Sequence, residues 1–448
     1  MSTLRLALTG AFIFVSLNLS IEAHESGKSP ERPEKEVEKA VEEKKPEEKS
    51  VGEKKKGAVY AIVDGTILPV SRPPIHRGVL LFQDGKILAI GSEIPIPKDA
   101  IVYSAEDSYV SPGLVALRAT VDNAKHAFGN FEDNLDPYDQ DIHIALASGI
   151  TTLHVMGGFR FHSIFHSMNR SVSGRPTAVI KATFRELDGM LVKEPASLSI
   201  TVERSMRDIF DLREKFERAS RYLRDLEVAT REKKKAPKMP RGLGLYVDVL
   251  KNDLPTICTV NDLESIRTLL ELRKDYPFQL VLSGTGEGWK MARELASFDV
   301  PVILKTRGPD FFFNLDAPLF EDGDMIPIRR PSTYASSGVR VALLPYRSGI
   351  SLDGIAGRDL TSLAFEAAFA VRGGLAEDLA FRAITLEPAK LLKIDDRVGS
   401  LEKGKDADIL IWSGHPLHYR SFVKKAWVDG KLYYEKEKSP LFREIPLR

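Results

Sequence analysis

The chain has a single cysteine, Cys258, among its 448 residues. One thiol cannot form an intramolecular disulfide or a metal cluster held by cysteines alone. Its apolar neighbours Leu254 and Ile257 predict a buried, unreactive thiol. Net charge is also scarce, since 64 basic residues nearly cancel 63 acidic ones. The composition therefore gives no reason to expect nucleic acid as a partner.

The longest uncharged apolar run stands at the N-terminus and is too short to cross a bilayer comfortably. It reads LALTGAFIFVSLNL, follows the positive Arg5, and ends near a small-residue exit at Ala23. This order is typical of a cleaved export signal. We therefore expect residues 1–23 to be a signal peptide and the protein to be periplasmic or extracellular. Retention of the run as an anchor is the alternative.

Residues 24–56 lack aromatic side chains and consist mainly of Glu and Lys with interspersed Pro. Such a segment cannot bury enough apolar surface to offset the entropy lost on ordering. We expect a disordered charged tether that spaces the folded part from the export signal.

Short β patterns with Asp-Gly turns occur at both ends of the remaining chain, in AVYAIVDGTILPV and GVLLFQDGKILAIG, and again in DADILIWSG and AWVDGKLYYE. They predict one small β-sandwich built from residues 57–112 and 396–436, followed by a tail at 437–448. Between them, residues 113–395 alternate apolar strands with amphipathic helices. This alternation predicts an α/β fold with a parallel barrel.

The order of these segments resembles the amidohydrolase superfamily, in particular its imidazolonepropionase-like branch. The resemblance rests on DGKILAIG before VSPGL, on LDPYDQDIHIALASGITTLHVMGG, and on AITLEPAKLLKIDDRVGSLEKGKDADILIWSGHPL. It implies a (β/α)8 TIM-like barrel and hydrolysis of carbon–nitrogen bonds other than peptide bonds. It also implies zinc or another divalent metal, held by His-x-His on strand one, histidines on strands five and six, and an aspartate on strand eight.

This chain departs from that pattern at each ligand position. The residues that replace the family ligands are Arg118, Thr120, Thr259, Ser283 and Tyr346. No histidine occurs between His166 and His415, so a shifted alignment cannot supply the missing ligands. Lys181 is the one candidate for a retained lysine at the barrel mouth. We therefore expect no metal cofactor.

Two uses of the altered mouth remain open. Arg118, Lys181 and Arg347, with Asp122 nearby, would suit an anionic small molecule. Alternatively, Arg118 pairs with a carboxylate such as Asp122 or Asp316 and only fills space. A rebuilt metal site would have to use His126, His162 and His166, of which the last two are four residues apart.

The sequence thus predicts an exported amidohydrolase-family protein that has lost metal-dependent catalysis and now binds or scaffolds. An active hydrolase with a rebuilt site is the alternative, and an oligomer or a pairing with a relative that keeps its ligands is a third possibility. His154 is expected to be a hydrogen-bonded core histidine. His415 and His418 are expected to lie in a loop away from the barrel mouth.

Overall fold

The computed structural model describes residues 57–119, 131, 133, 135–156, 174–202, 206–307, 325–345 and 363–444. The predicted signal segment and tether lie outside these ranges. Within them, no helix has both the length and the apolar composition that a membrane span needs. The strands belong to two sheets.

Strands from both ends of the chain form the first sheet, which has eight strands. They are β1 Tyr60–Ile67, β2 Ile75–Gln83, β3 Lys86–Gly91, β4 Ile101–Ser104, β5 Tyr109–Pro112, β15 Ile409–Trp412, β16 Val423–Val428 and β17 Lys431–Glu435. The order is β17-β16-β15-β5-β1-β2-β3, with β4 beside β1. Strands from the two ends of the chain therefore share one hydrogen-bonded sheet, and the predicted sandwich arrangement stays a prediction.

Two of the three Asp-Gly pairs in this sheet form the predicted hairpin turns. Asp84 and Asp429 have φ of 49° and 48°, and each is followed by a glycine with positive φ, as a tight β-hairpin requires. Asp64 also has positive φ, but it lies inside β1, where the pairing with β2 slips by a residue. The first Asp-Gly is therefore a bulge and not the predicted turn.

The second sheet is a nearly closed barrel. Its strands are β6 Leu114–Ala119, β7 Ile150–Met156, β8 Arg175–Lys181, β9 Leu191–Lys193, β10 Leu198–Thr201, β11 Thr256–Thr259, β12 Leu280–Ser283, β13 Val302–Leu304 and β14 Val341–Leu343. The order is β14-β13-β12-β11-β10-β8-β7-β6, with β9 beside β8. Between the two end strands, the Val115 N–H donates to Ile384 O at 3.0 Å and the Leu343 N–H to Ala383 O at 2.9 Å. The α/β class and the barrel are thus confirmed.

One barrel strand runs against the prediction of an all-parallel sheet. β8 is antiparallel to both β7 and β10, with Thr152 opposite Lys181. The start of β8 therefore lies at the barrel mouth, where the other strands end, and its last residue, Lys181, lies toward the opposite end.

Nine helices occur in the described part of the chain. They are α1 Gln140–Ala147, α2 Met206–Arg231, α3 Gly244–Leu250, α4 Leu263–Asp275, α5 Ala292–Ser297, α6 Arg330–Ser336, α7 Leu363–Arg372, α8 Glu377–Arg382 and α9 Leu386–Leu391. Helix α1 is capped at both ends: Asp139 accepts from the Asp141 N–H in the first turn, and the chain leaves the helix at Gly149, with φ of 86°.

Alternation along the barrel strands separates an inner core from an outer one. Val115, Leu117 and Ile257 pack inside the barrel, whereas Leu114 and Ala116 pack outside with the helices. On α2, the apolar side chains of Ile209, Leu212 and Phe216 are buried. Phe210, which lies on another side of the helix, is 63% exposed.

Candidate functional site

Three of the positions predicted to replace metal ligands meet inside the barrel mouth. Thr259 and Ser283 are the last residues of the neighbouring strands β11 and β12, and Arg118 lies near the end of β6. Arg118 Nη1 donates to Thr259 Oγ1 at 3.0 Å and to Ser283 Oγ at 3.1 Å. Because β6 is four strands from β11 in the barrel order, the arginine side chain spans the mouth.

A break in the strand alternation turns Arg118 inward. In β6, residues 115 and 117 face the interior, so regular alternation would send residue 118 outward. Instead, Arg118 has φ of +53°, the pairing with β7 slips between Ala116 and Ala119, and Ala119 joins the outer core. A left-handed backbone is unusual for a residue other than glycine and is common at functional sites.

Thr259 and Ser283 keep hydrogen-bond donors for a ligand. Each hydroxyl accepts a hydrogen bond from Arg118. Within the described ranges, neither hydroxyl has an acceptor for its own hydrogen. A guanidinium flanked by two such hydroxyls is a set of donors, which is suited to an anion.

His154 is fully buried on β7, as predicted, and both of its ring nitrogens are used. Nδ1 accepts the Arg118 backbone N–H at 3.3 Å. Nε2 therefore carries the proton and donates to Ser197 Oγ at 3.1 Å. Ser197 Oγ is in turn 2.7 Å from Thr177 Oγ1. Ser197 and Thr177 had no functional signal in the sequence, because only the fold brings β8 and the start of β10 beside His154.

Burial, reinforced by the charge of Arg118, lowers the pKa of His154 to about 3. Since an unfolded histidine takes a proton near pH 6.5, stability is lost as the pH falls from there toward 3. We expect His154→Asn, which has no such titration, to lose about 2 kcal/mol less than the wild type between pH 7 and pH 4.5. Urea unfolding at both pH values measures this. An equal loss in the two proteins would contradict the assigned neutral state.

The described residues at the mouth do not fit the divalent metal that the family resemblance implies. Arg118, Thr259 and Ser283 supply a fixed positive charge and two neutral hydroxyls, and no imidazole or carboxylate. His154 has no free lone pair, because Nδ1 already accepts a hydrogen bond. In the part of the chain that the structure describes, no three His, Cys, Asp or Glu side chains form a potential metal site.

Several predicted site residues lie outside the described ranges. These are Thr120, Asp122, His126, His162, His166, Asp316, Tyr346 and Arg347. The histidines proposed for a rebuilt metal site and the partners proposed for Arg118 therefore stay predictions.

The prediction that Lys181 lies at the barrel mouth is wrong. Because β8 is antiparallel, Lys181 points away from Arg118 and toward the first sheet. Its Nζ donates to Asp406 at 2.6 Å, to Asp408 at 3.1 Å and to Asp429. Burial alone would lower the pKa of Lys181, but attraction to Asp408, Asp429 and Asp406 raises it. This buried cluster joins the barrel to the sheet.

The other singled-out side chains have structural partners. The Cys258 thiol is buried, as predicted, and burial raises its pKa to about 12. His415 Nε2 lies 2.8 Å from Glu377 Oε1, and its ring packs edge-on against Tyr109 of the first sheet. These residues take no part in the group formed by Arg118, Thr259 and Ser283, called the Arg118 group below.

Comparisons with known proteins agree with this fold. Residues 328–433 match the sequence model of the amidohydrolase family. The curated amidohydrolase tasK of Hapsidospora irregularis is 23% identical over 423 residues. That alignment covers 80% of this chain but only 40% of the length of the curated relative.

Solved structures give the same picture. An amidohydrolase from Thermotoga maritima MSB8 superposes with a TM-score of 0.68 at 24% identity, covering 84% of this chain and all of that one. Molinate hydrolase superposes with a TM-score of 0.54 at 16% identity, covering 87% and 98%. At these identities the likeness shows the fold alone. With the family match, it supports the amidohydrolase superfamily predicted from the sequence.

Proposed function

We propose that this chain is an amidohydrolase-superfamily protein whose barrel mouth binds a small carboxylate at Arg118, without metal-dependent hydrolysis. The observation that carries the proposal is the pair of hydrogen bonds from Arg118 Nη1 to Thr259 and Ser283. In the family pattern these positions hold metal ligands, and here they form a group of hydrogen-bond donors around a cation.

The chemistry of the group formed by Arg118, Thr259 and Ser283 favours an anion. The planar guanidinium matches a carboxylate, and the hydroxyls of Thr259 and Ser283 supply further donors. Arg118 is half-buried, which reduces the screening of its charge by water.

Three further parts of the proposal rest on the sequence alone. They are the imidazolonepropionase-like branch, export to the periplasm or the extracellular space, and a possible oligomer or ligand-complete partner. The carboxylate site does not depend on any of them.

We expect millimolar succinate or acetate to raise the melting temperature of the protein, because a ligand that binds only the folded state stabilises it. Arg118→Met should weaken this binding about 10- to 100-fold, which corresponds to the loss of a charge-assisted hydrogen bond. Arg340→Met is the matched control, since Arg340 is also partly exposed and pairs with Asp299 at 3.1 Å, before β14 begins. Thermal shift and calorimetric titration measure both effects.

Elemental analysis of the purified protein separates this proposal from the hydrolase alternative. We expect no stoichiometric zinc, iron or manganese. The opposite result would be a bound metal together with a cyclic-amide or amide hydrolase activity that is lost on chelation and in His162→Ala or His166→Ala. That result would replace the carboxylate site with a rebuilt metal centre.

A further inference from the structure

Arg118 needs an external hold on its backbone. Its φ of +53° is a conformation that L-residues rarely adopt and keep only where the surroundings enforce it. The β6–β7 pairing slips at this point, so regular pairing between the strands does not fix the residue. The Arg118 N–H donates instead to the side chain of His154.

The orientation of the His154 ring is fixed by hydrogen bonds on the side opposite Arg118. His154 Nε2 donates to Ser197 Oγ, and Ser197 lies against Thr177 through both its hydroxyl and its backbone. All three side chains are fully buried. A histidine clamped at both nitrogens has one ring orientation, in which Nδ1 faces the Arg118 backbone.

We infer that His154 is the positioning residue of the barrel mouth: it keeps Arg118 in the left-handed conformation that directs the guanidinium inward to Thr259 and Ser283. This inference rests on the proposed carboxylate site for its functional meaning. It assigns His154 no contact with a ligand. The chain would thereby use a buried histidine on β7 to orient an arginine on β6.

Two variants distinguish the hydrogen bond that His154 makes with Arg118 from the one that it makes with Ser197. In His154→Asn, the side-chain oxygen can take the place of Nδ1 and accept the Arg118 N–H, while the contact with Ser197 is lost. In His154→Gln, the amide can reach Ser197, while the acceptor for Arg118 is lost. A general packing role would make the two variants equivalent.

The first measurement is amide hydrogen exchange of a peptide that contains Arg118. We expect the Arg118 amide to stay protected in His154→Asn and to exchange faster in His154→Gln, with the other barrel strands unchanged in both. The second is succinate titration, in which His154→Gln should bind roughly tenfold more weakly than His154→Asn.

Equal protection of the Arg118 amide in the two variants, or equal loss across the whole barrel, would overturn the positioning role. If the wild type binds no succinate or acetate, the carboxylate proposal fails. The exchange contrast then still decides whether His154 holds Arg118.

Discussion

Replacing Lys181 with methionine is expected to destabilise the protein by about 3–5 kcal/mol, because removing one partner of a buried ion pair leaves the other charge uncompensated. Lys181 is fully buried and contacts Asp406, Asp408 and Asp429 at once. Methionine keeps an unbranched apolar side chain and removes the terminal ammonium group, with its charge and its hydrogen bonds. Urea unfolding at pH 7 measures the loss.

Lys86→Met is the control for this substitution. Lys86 also binds Asp406, at 2.6 Å, but its side chain is 52% exposed. An exposed ion pair contributes about 0–1 kcal/mol, so this variant should stay close to the wild type. Comparable losses in the two variants would mean that the cluster does not depend on the buried lysine.

Lys181 was predicted at the wrong end of the barrel because the direction of β8 was predicted wrongly. The apolar run TAVIKATF is typical of a buried strand, and β8 ends within it at Lys181. A parallel strand would deliver that end to the barrel mouth, but β8 is antiparallel. Strand direction is set by long-range pairing, and a single short apolar run carries no signal of it. The three aspartates that receive the lysine are more than two hundred residues away in sequence.

The Arg118 group was more predictable, because it depends on a rule of the whole fold. In parallel barrels the carboxyl ends of the strands meet at one end, so Arg118, Thr259 and Ser283 could be placed together before the structure was known. The inward turn of Arg118 could not. It requires a bulge and a buried histidine on the next strand, and neither leaves a periodic trace in the sequence.

An Asp-Gly pair forms the predicted hairpin turn only where the strands on either side of it pair with each other. Asp84-Gly85 and Asp429-Gly430 join adjacent strands, so their tight turns form hairpins. Asp64-Gly65 has the same chemistry, yet β1 continues through it, because β4 and β5 pair with successive halves of that strand. The tertiary partners decide whether this dipeptide turns the chain or bulges it.

Gly113 of VSPGL is required by the close packing around it, and its replacement should destabilise the protein. Gly113 joins β5 to β6, where the chain passes from the sheet into the barrel, and its N–H donates to Asp408 O at 3.0 Å. A Cβ at this residue would lie 1.8 Å from Thr151 Oγ1 and 2.6 Å from Thr151 Cβ. Rotating the threonine side chain cannot relieve the second contact, so the backbone must move.

We therefore expect Gly113→Ala to destabilise the protein by about 3 kcal/mol, the upper part of the range for overpacking a core. Gly244→Ala is the matched control, because a Cβ there meets nothing within 4 Å at the start of α3, and it should be neutral or slightly stabilising. Unfolding in urea compares the two.

The displaced Thr151 donates to Asp408, which also contacts Lys181. The effects of Gly113→Ala and Lys181→Met should consequently not add in the double variant, whereas strict additivity would show that this junction and the lysine cluster are independent.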